Sequence, residues 1–276
     1  MKKKAALGLA GIAAVAVIGG TWAYWSQDLT ATNEFETGKY DSDLKEQFTP
    51  PAVGEWVPGE SVDKKVWVTN SGDVDMAVGV VLSQEWTSES GSAPSLLFPT
   101  GESEEYAAQI GWSESVVALR GAEQAGKEVG IETTVDSLSD AEGKWVLVGT
   151  AENGDEGYDK LYFIYNGILE ANDWVKKETP LLVENVTLNS KIEAGVLSKT
   201  YEIKDGKATL SNAVSNEYTY EDANYTMTIN AKTVQATEEA ISEIFTSDPF
   251  TEEIPGSTVL AEFLEVNQDA LIGEAE

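Results

Sequence analysis

The chain has 276 residues and a formal net charge of −30, from 48 Asp and Glu against 18 Lys and Arg. So acidic a surface repels nucleic acid and anionic membranes, so no nucleic-acid partner is expected. With no Cys and no His, disulfides, Ser-His-Asp and Cys-His catalysis, and histidine zinc sites are all excluded, and no cofactor and no metal ligand set is predicted.

The chain opens with Lys2, Lys3 and Lys4, then an apolar run from Ala5 to Gly20, then small and aromatic residues up to Ser26. A basic start, a short apolar stretch and small residues at its end are the layout of a secretory signal peptide, here assigned to residues 1–24. At about 16 residues the run is short for a membrane span, which needs roughly 20. Cleavage is expected within Thr21, Trp22, Ala23, Tyr24 and Trp25, and losing the three lysines takes the net charge from −30 to −33. A hydrophobic content of 42% is that of a folded domain rather than a disordered chain, and eight Trp and ten Tyr beside Val, Ile and Thr favour strands.

Residues 25–48 begin the mature chain. Trp25, Leu29 and Ala31 share parity, so an extended segment places them on one face, with Phe35 following. An ordinary first strand of the chain's own sheet and a donor strand that completes a neighbour's sheet both fit these residues.

Residues 50–60 are a Pro- and Gly-rich connector in which Pro58-Gly59 predicts a tight turn. In the strand that follows, Val62, Val66 and Val68 fall on one face, and Lys65 and Trp67 on the other. Asn70-Ser71-Gly72-Asp73 closes it, and Met76–Leu82 is a second strand. Residues 83–130 read as an irregular insertion (about 84–142 with its flanks), with Trp112–Leu119 helix or strand and Gly121–Gly130 a polar loop. Lys144–Gly149 and Leu161–Tyr165 are predicted to pair as a hairpin; Asn166-Gly167 predicts another turn, and Thr179–Leu188 leads into a further strand. Lys204–Lys207 reads as a hairpin turn. In the last strong strand Tyr225, Met227, Ile229 and Ala231 alternate with polar residues, and Thr237 then caps a short helix. Residues 246–276 read as an acidic tail with a helical stretch at Val259–Leu264.

Four stretches carry a family resemblance. The signal's exit, Gly-Gly-Thr-Trp-Ala-Tyr-Trp-Ser before Thr-Ala-Thr-Asn-Glu-Phe-Glu-Thr-Gly, resembles the class cut by a SipW-type signal peptidase and borne by the TasA, camelysin and BsaA proteins. The block W-x-P-G-x-x-V-x-K-x-V-x-V-x-N-x-G (Trp56 to Gly72) resembles the same block in that family. The run from Trp145 through Tyr162-Phe163-Ile164-Tyr165-Asn166-Gly167 to Thr179-Pro180-Leu181-Leu182 is similar to the BsaA branch, and the ending from Tyr225 to Ala240 also resembles the family. The resemblance implies an all-β, jelly-roll-like β-sandwich over residues 49–245. It implies a secreted structural subunit of the extracellular biofilm matrix that is not an enzyme and assembles with other copies of itself into fibres. Its expected partners are a SipW-like signal peptidase and a minor anchoring protein, and related fibre proteins imply donor-strand exchange for Trp25, Leu29, Ala31 and Phe35.

Other chemistry is thinner. Lys65 with Asn230, and Lys144 with Asn185, are candidate participants in an intramolecular isopeptide bond, a cross-link that needs a buried, nucleophilic lysine; solvent-facing strand lysines fit the same residues. Asp73–Asp75 and Glu152–Gly157 miss calcium-loop spacing and read as solvated turn carboxylates. A monomeric adhesin or carbohydrate-binding module, using the many aromatics, and an extracellular hydrolase, using paired carboxylates, are the alternatives from other functional classes.

Overall fold

The computed structural model describes residues 22–29, 41–48, 59–88, 108–152, 158–171, 177–188, 198–204, 207–213, 223–246 and 256–272. Strands are numbered along the chain. Among the described residues one sheet has seven, in the order β1 (Trp22–Leu29), β14 (Ala223–Gln235), β4 (Met76–Ser88), β9 (Tyr158–Leu169), β8 (Trp145–Glu152), β6 (Val116–Leu119) and β7 (Thr134–Val135). The second holds β2 (Ser42–Phe48), β3 (Ser61–Asn70), β10 (Lys177–Glu178), β11 (Val183–Leu188) and β5 (Ala108–Trp112), with β2 along one side of β3 and β10 and β11 in succession along the other. β12 (Ser198–Lys204) and β13 (Lys207–Ala213) form a separate hairpin. The all-β sandwich expected from the sequence is therefore present.

Period-2 alternation explains the core. From the larger sheet Val78, Val80, Leu82, Trp145, Leu147, Leu161, Phe163, Tyr225, Met227 and Ile229 meet Val62, Val66, Val68, Val183 and Val186 of the smaller. Polar contacts also pin the sheets together: Trp145 Nε1 donates to the Pro180 carbonyl at 2.8 Å, and Ser42 Oγ shares a 2.8 Å hydrogen bond with Thr233 Oγ1. Asn70 closes the β3–β4 turn as its sequence predicts. Its Nδ2 donates to the carbonyls of Val74 and Leu169, each at 2.9 Å, and its Oδ1 accepts from the Gly72 N–H at 2.9 Å. Gly59, at φ 85°, takes the left-handed conformation that favours glycine, while Pro58 of the predicted turn lies outside the described residues.

The alternate residues of the larger sheet are apolar too, so its outer face must also be covered. Ala77, Val81, Val117, Val146, Val148, Tyr162, Ile164 and Val234 pack beneath α2 (Glu238–Thr246) and α3 (Gly256–Asn267), with Ile241, Ile244, Val259 and Phe263 supplying the helix side. Thr237 caps α2 as expected, its Oγ1 accepting from the Ala240 N–H at 3.3 Å. The C-terminal stretch read as an acidic tail thus contributes a third layer through α3. Glu262 fixes that helix by accepting the Leu138 N–H at 2.7 Å.

Three local readings change. Part of the stretch read as an insertion is woven into both sheets, β5 joining the smaller and β6 and β7 the larger. The predicted polar loop contains a short helix, α1 (Glu123–Glu128), whose Gly126 comes so close to Ala118 that a Cβ there would sit 2.6 Å from the Ala118 Cβ. Asn166-Gly167 is not a turn. β9 runs straight through it, because Asn166 is fully buried and its Nδ2 donates to the Leu138 carbonyl at 2.6 Å. Long-range satisfaction of the side-chain amide replaces the local turn that the dipeptide favours.

Because Phe263 fills the layer between α3 and the sheet at 2% exposure, Phe263→Ala should cost about 3–5 kcal/mol in urea unfolding, whereas a solvated tail would register no change.

Candidate functional site

The last strand, β14, is the longest contact in the molecule. Its 13 residues pair antiparallel with β4 from Ala223↔Ser88 to Gln235↔Met76. On its other side Asn224 to Ala231 pair in parallel with Trp22 to Leu29 of β1. The chain's first strand is thereby placed beside its last. A parallel neighbour cannot be joined by a tight hairpin, and twelve residues, 30–41, separate β1 from β2 in the opposite sheet.

The residues singled out from the sequence distribute as follows. Trp22, Ala23, Tyr24 and Trp25 of the cleavage region, and Leu29 of the donor candidate, lie in β1; Thr21, Ala31 and Phe35 lie outside the described residues. Cleavage near Ala23 or Tyr24 would trim β1 while leaving Trp25–Leu29. Asn230 is half-buried in β14, opposite Val81 on one side and Asp28 on the other, and it points to the helix-covered face. Lys65 is half-buried on the outer face of β3, so both layers of the sandwich separate it from Asn230. Lys144 stands in the turn before β8 of the larger sheet. Asn185 sits at a bulge in β11 of the smaller sheet, its side chain over Gly111, where a Cβ would lie 2.3 Å from Oδ1. Of the carboxylates considered for calcium, Asp75 accepts the Ala171 N–H and so serves the backbone, Asp73 is exposed, and residues 153–157 lie outside the described residues.

The buried lysine is the neighbour of the one considered. Lys64 shares the inward face of β3 with Val62 and Val66 and is 1% exposed. It forms an ion pair with Glu46 of β2, and its Nζ lies 5.2 Å from the Phe48 ring centroid. Burial lowers its pKa to about 8, with the Glu46 carboxylate opposing the shift. Parity alone puts Lys64 in register with the three valines, and it is the lysine of the W-x-P-G block. That signal was legible, but lysine is among the residues least often buried. β2 is thus held to the rest of the fold at one end by Ser42–Thr233 and near the other by Glu46–Lys64.

Against known proteins, the family described as Camelysin metallo-endopeptidase matches residues 1–94, from the basic start through β4. The resemblance read from the sequence therefore stands at the level of the camelysin and TasA family. No curated protein and no solved structure matches the chain. The family's description raises a catalytic metal. Zinc peptidases draw their ligands from His with Glu or Cys. This chain has neither His nor Cys, and among the described residues no three carboxylates cluster to hold an ion. The donor set does not fit a catalytic zinc of that kind. Also among the described residues, no helix is long and apolar enough to cross a membrane.

The buried pair gives a pH-dependent expectation. The folded-state pKa of Lys64, about 8, lies below the ordinary 10.5, so the unfolded chain binds the extra proton between these values. Stability should therefore rise with pH across pH 8 to 10, by on the order of 2–3 kcal/mol in urea titrations, and Lys64→Met should abolish that rise. Glu46→Ala leaves the cation buried without that carboxylate. It should cost about 3 kcal/mol at pH 7, narrowing at pH 10 as Lys64 loses its proton.

Proposed function

We propose that this camelysin-family chain is a secreted structural subunit of the biofilm matrix, of the BsaA-like branch, that polymerises by donating β1. The observation that carries the reading is the parallel β1–β14 edge. In one copy β1 fills that edge; in a fibre β1 of the next copy fills it with the same ladder. Exchanging an identical element leaves the number of backbone bonds unchanged, so the open form costs little beyond the loss of free copies. Twelve linker residues at ~3.3–3.6 Å each reach at most about 40 Å, enough to cross to an adjoining domain. Because donor and acceptor are different surfaces, the contact repeats without closing and makes a filament. SipW-type processing in Thr21–Trp25 would release β1 from its hydrophobic leader and free it to move, and a minor protein would anchor the growing fibre.

The strong negative charge shapes the conditions. Copies at −30 or below repel at low ionic strength, so added salt should speed filament growth by screening. A proteolytic reading is disfavoured by the missing zinc ligands. Purified chain should cleave no casein above background, with or without added zinc, and zinc-dependent cleavage would reverse that view.

Negative-stain electron microscopy of two purified chains tests the assembly. The chain beginning at Trp25 should form filaments, and the chain beginning at Gly38 should not. If the longer chain stays monomeric across pH, salt and calcium, strand donation fails and a monomeric binding module takes its place.

A further inference from the structure

The residues expected to be cut and the residues that begin the first strand are the same. Of Thr21, Trp22, Ala23, Tyr24 and Trp25, Thr21 lies outside the described residues and the others pair along β14: Trp22 with Asn224, Ala23 with Tyr225, Tyr24 with Thr226 and Trp25 with Met227. They make the first half of a ladder that continues to Leu29↔Ala231. β14 is not free to turn aside. Its other edge is bound to β4 over all 13 of its residues, and Tyr225 and Met227 are fully buried in the core. Freeing residues 22–25 therefore means lifting β1 off.

A peptidase grips its substrate as an extended segment, supplying backbone hydrogen bonds along it as an added strand would. The backbone groups that β1 directs at β14 cannot serve a second partner at the same time, so the bonds of residues 22–25 are cut only from an opened form. Chain order decides when that form is available. An exported chain emerges from its N-terminus. β2 meets β3, the next strand, whereas β1 must wait for β14, which begins at Ala223. Until the last strand arrives, residues 22–25 have no place in the sheet.

We propose, on the reading that the leader is cut within Thr21–Trp25, that β14 and the processing peptidase compete for residues 22–25, so that cleavage precedes closure and a copy that closes first keeps its leader. A copy whose β1 is still joined to the apolar run ending at Gly20 cannot carry that strand away to a neighbour. The competition therefore sets which copies become strand donors and which stay tethered.

Chymotrypsin reads the competition without the natural peptidase, because it cuts after aromatic residues and Trp22, Tyr24 and Trp25 lie in the contested stretch. The full chain, residues 1–276, is folded in detergent and digested briefly, with a synthetic peptide of residues 18–29 as the unpaired reference and mass spectrometry to locate the cuts. Cutting within residues 22–25 should be at least about tenfold slower in the folded chain than in the peptide. Gln27→Pro with Asp28→Pro should restore it. Successive N–H groups of a strand point to opposite sides, so one of these prolines removes a donor to β14, while residues 21–25 keep their sequence. The variant should keep a cooperative urea transition, which separates undocking from unfolding, and the comparison of the unaltered chain with the peptide needs no variant to fold. A SipW-type peptidase in the same detergent should cut the chain when added during refolding from urea and not once refolding is complete. A folded chain cut within residues 22–25 as fast as the peptide would overturn the proposal. So would protection that persists in the folded proline variant, or a peptidase that cuts the refolded chain as readily as the refolding one. All of these are cutting rates rather than filaments, so strand donation can fail in the electron microscope while the competition stands, and the reverse.

Discussion

A strand inside a buried sheet needs partners for both rows of its backbone N–H and C=O groups, and along most of β14 one row is met by β1. β14 cannot be spared to the periphery. Its Tyr225, Met227 and Ile229 are central to the core between the sheets, and its Val234 belongs to the layer under the helices. The molecule therefore builds an indispensable strand next to an edge that is closed by the part of the chain furthest from it in sequence. A parallel strand brought in on a long linker is the kind of element that one copy can supply to another at little cost, and this is why the edge carries the functional reading.

The remaining architecture makes that edge usable. Most of the larger sheet is buried on both faces, so its strands are held by packing as well as by hydrogen bonds. Across the sandwich β2 faces β14 and is pinned through Ser42–Thr233 and Glu46–Lys64. A buried ion pair is weak evidence for net stability, since desolvation offsets much of the attraction. Its value here is directional: Lys64 accepts burial only where a carboxylate reaches it, which fixes the register of β2 just after the linker from β1. The heavy negative charge then leaves non-specific association unfavourable.

The alternation of Val62, Val66 and Val68 and of residues 225–231, together with the turn at Asn70, was readable because half-buried strands and tight turns are local patterns with a period of two and fixed turn residues, while residues 144–149 read as a strand from their apolar, β-branched run, which the structure buries on both faces of the sheet. The same parity sets Lys64 with the inward valines, but lysine is seldom buried, so Lys65 and not Lys64 was singled out, and only the position of Glu46 on an adjacent strand explains the burial. Residues 112–119 stayed ambiguous because short apolar runs suit helix and strand alike. Asn166-Gly167 misled because a turn dipeptide can be overridden by a distant carbonyl, here that of Leu138. By itself, then, the sequence determined the β class, the main strands, the absence of histidine and cysteine chemistry, and a family likeness of which two of the four stretches fall within the matched residues 1–94. The tertiary structure alone decided that the first strand lies parallel to the last, that α3 of the acidic C-terminal stretch closes the outer face of the larger sheet, and that the candidate cross-linking residues Lys65 and Asn230 stand on opposite outer faces. Those are relations between segments far apart in the chain, set by which faces and edges still need covering once the local elements have formed, and no local periodicity encodes them.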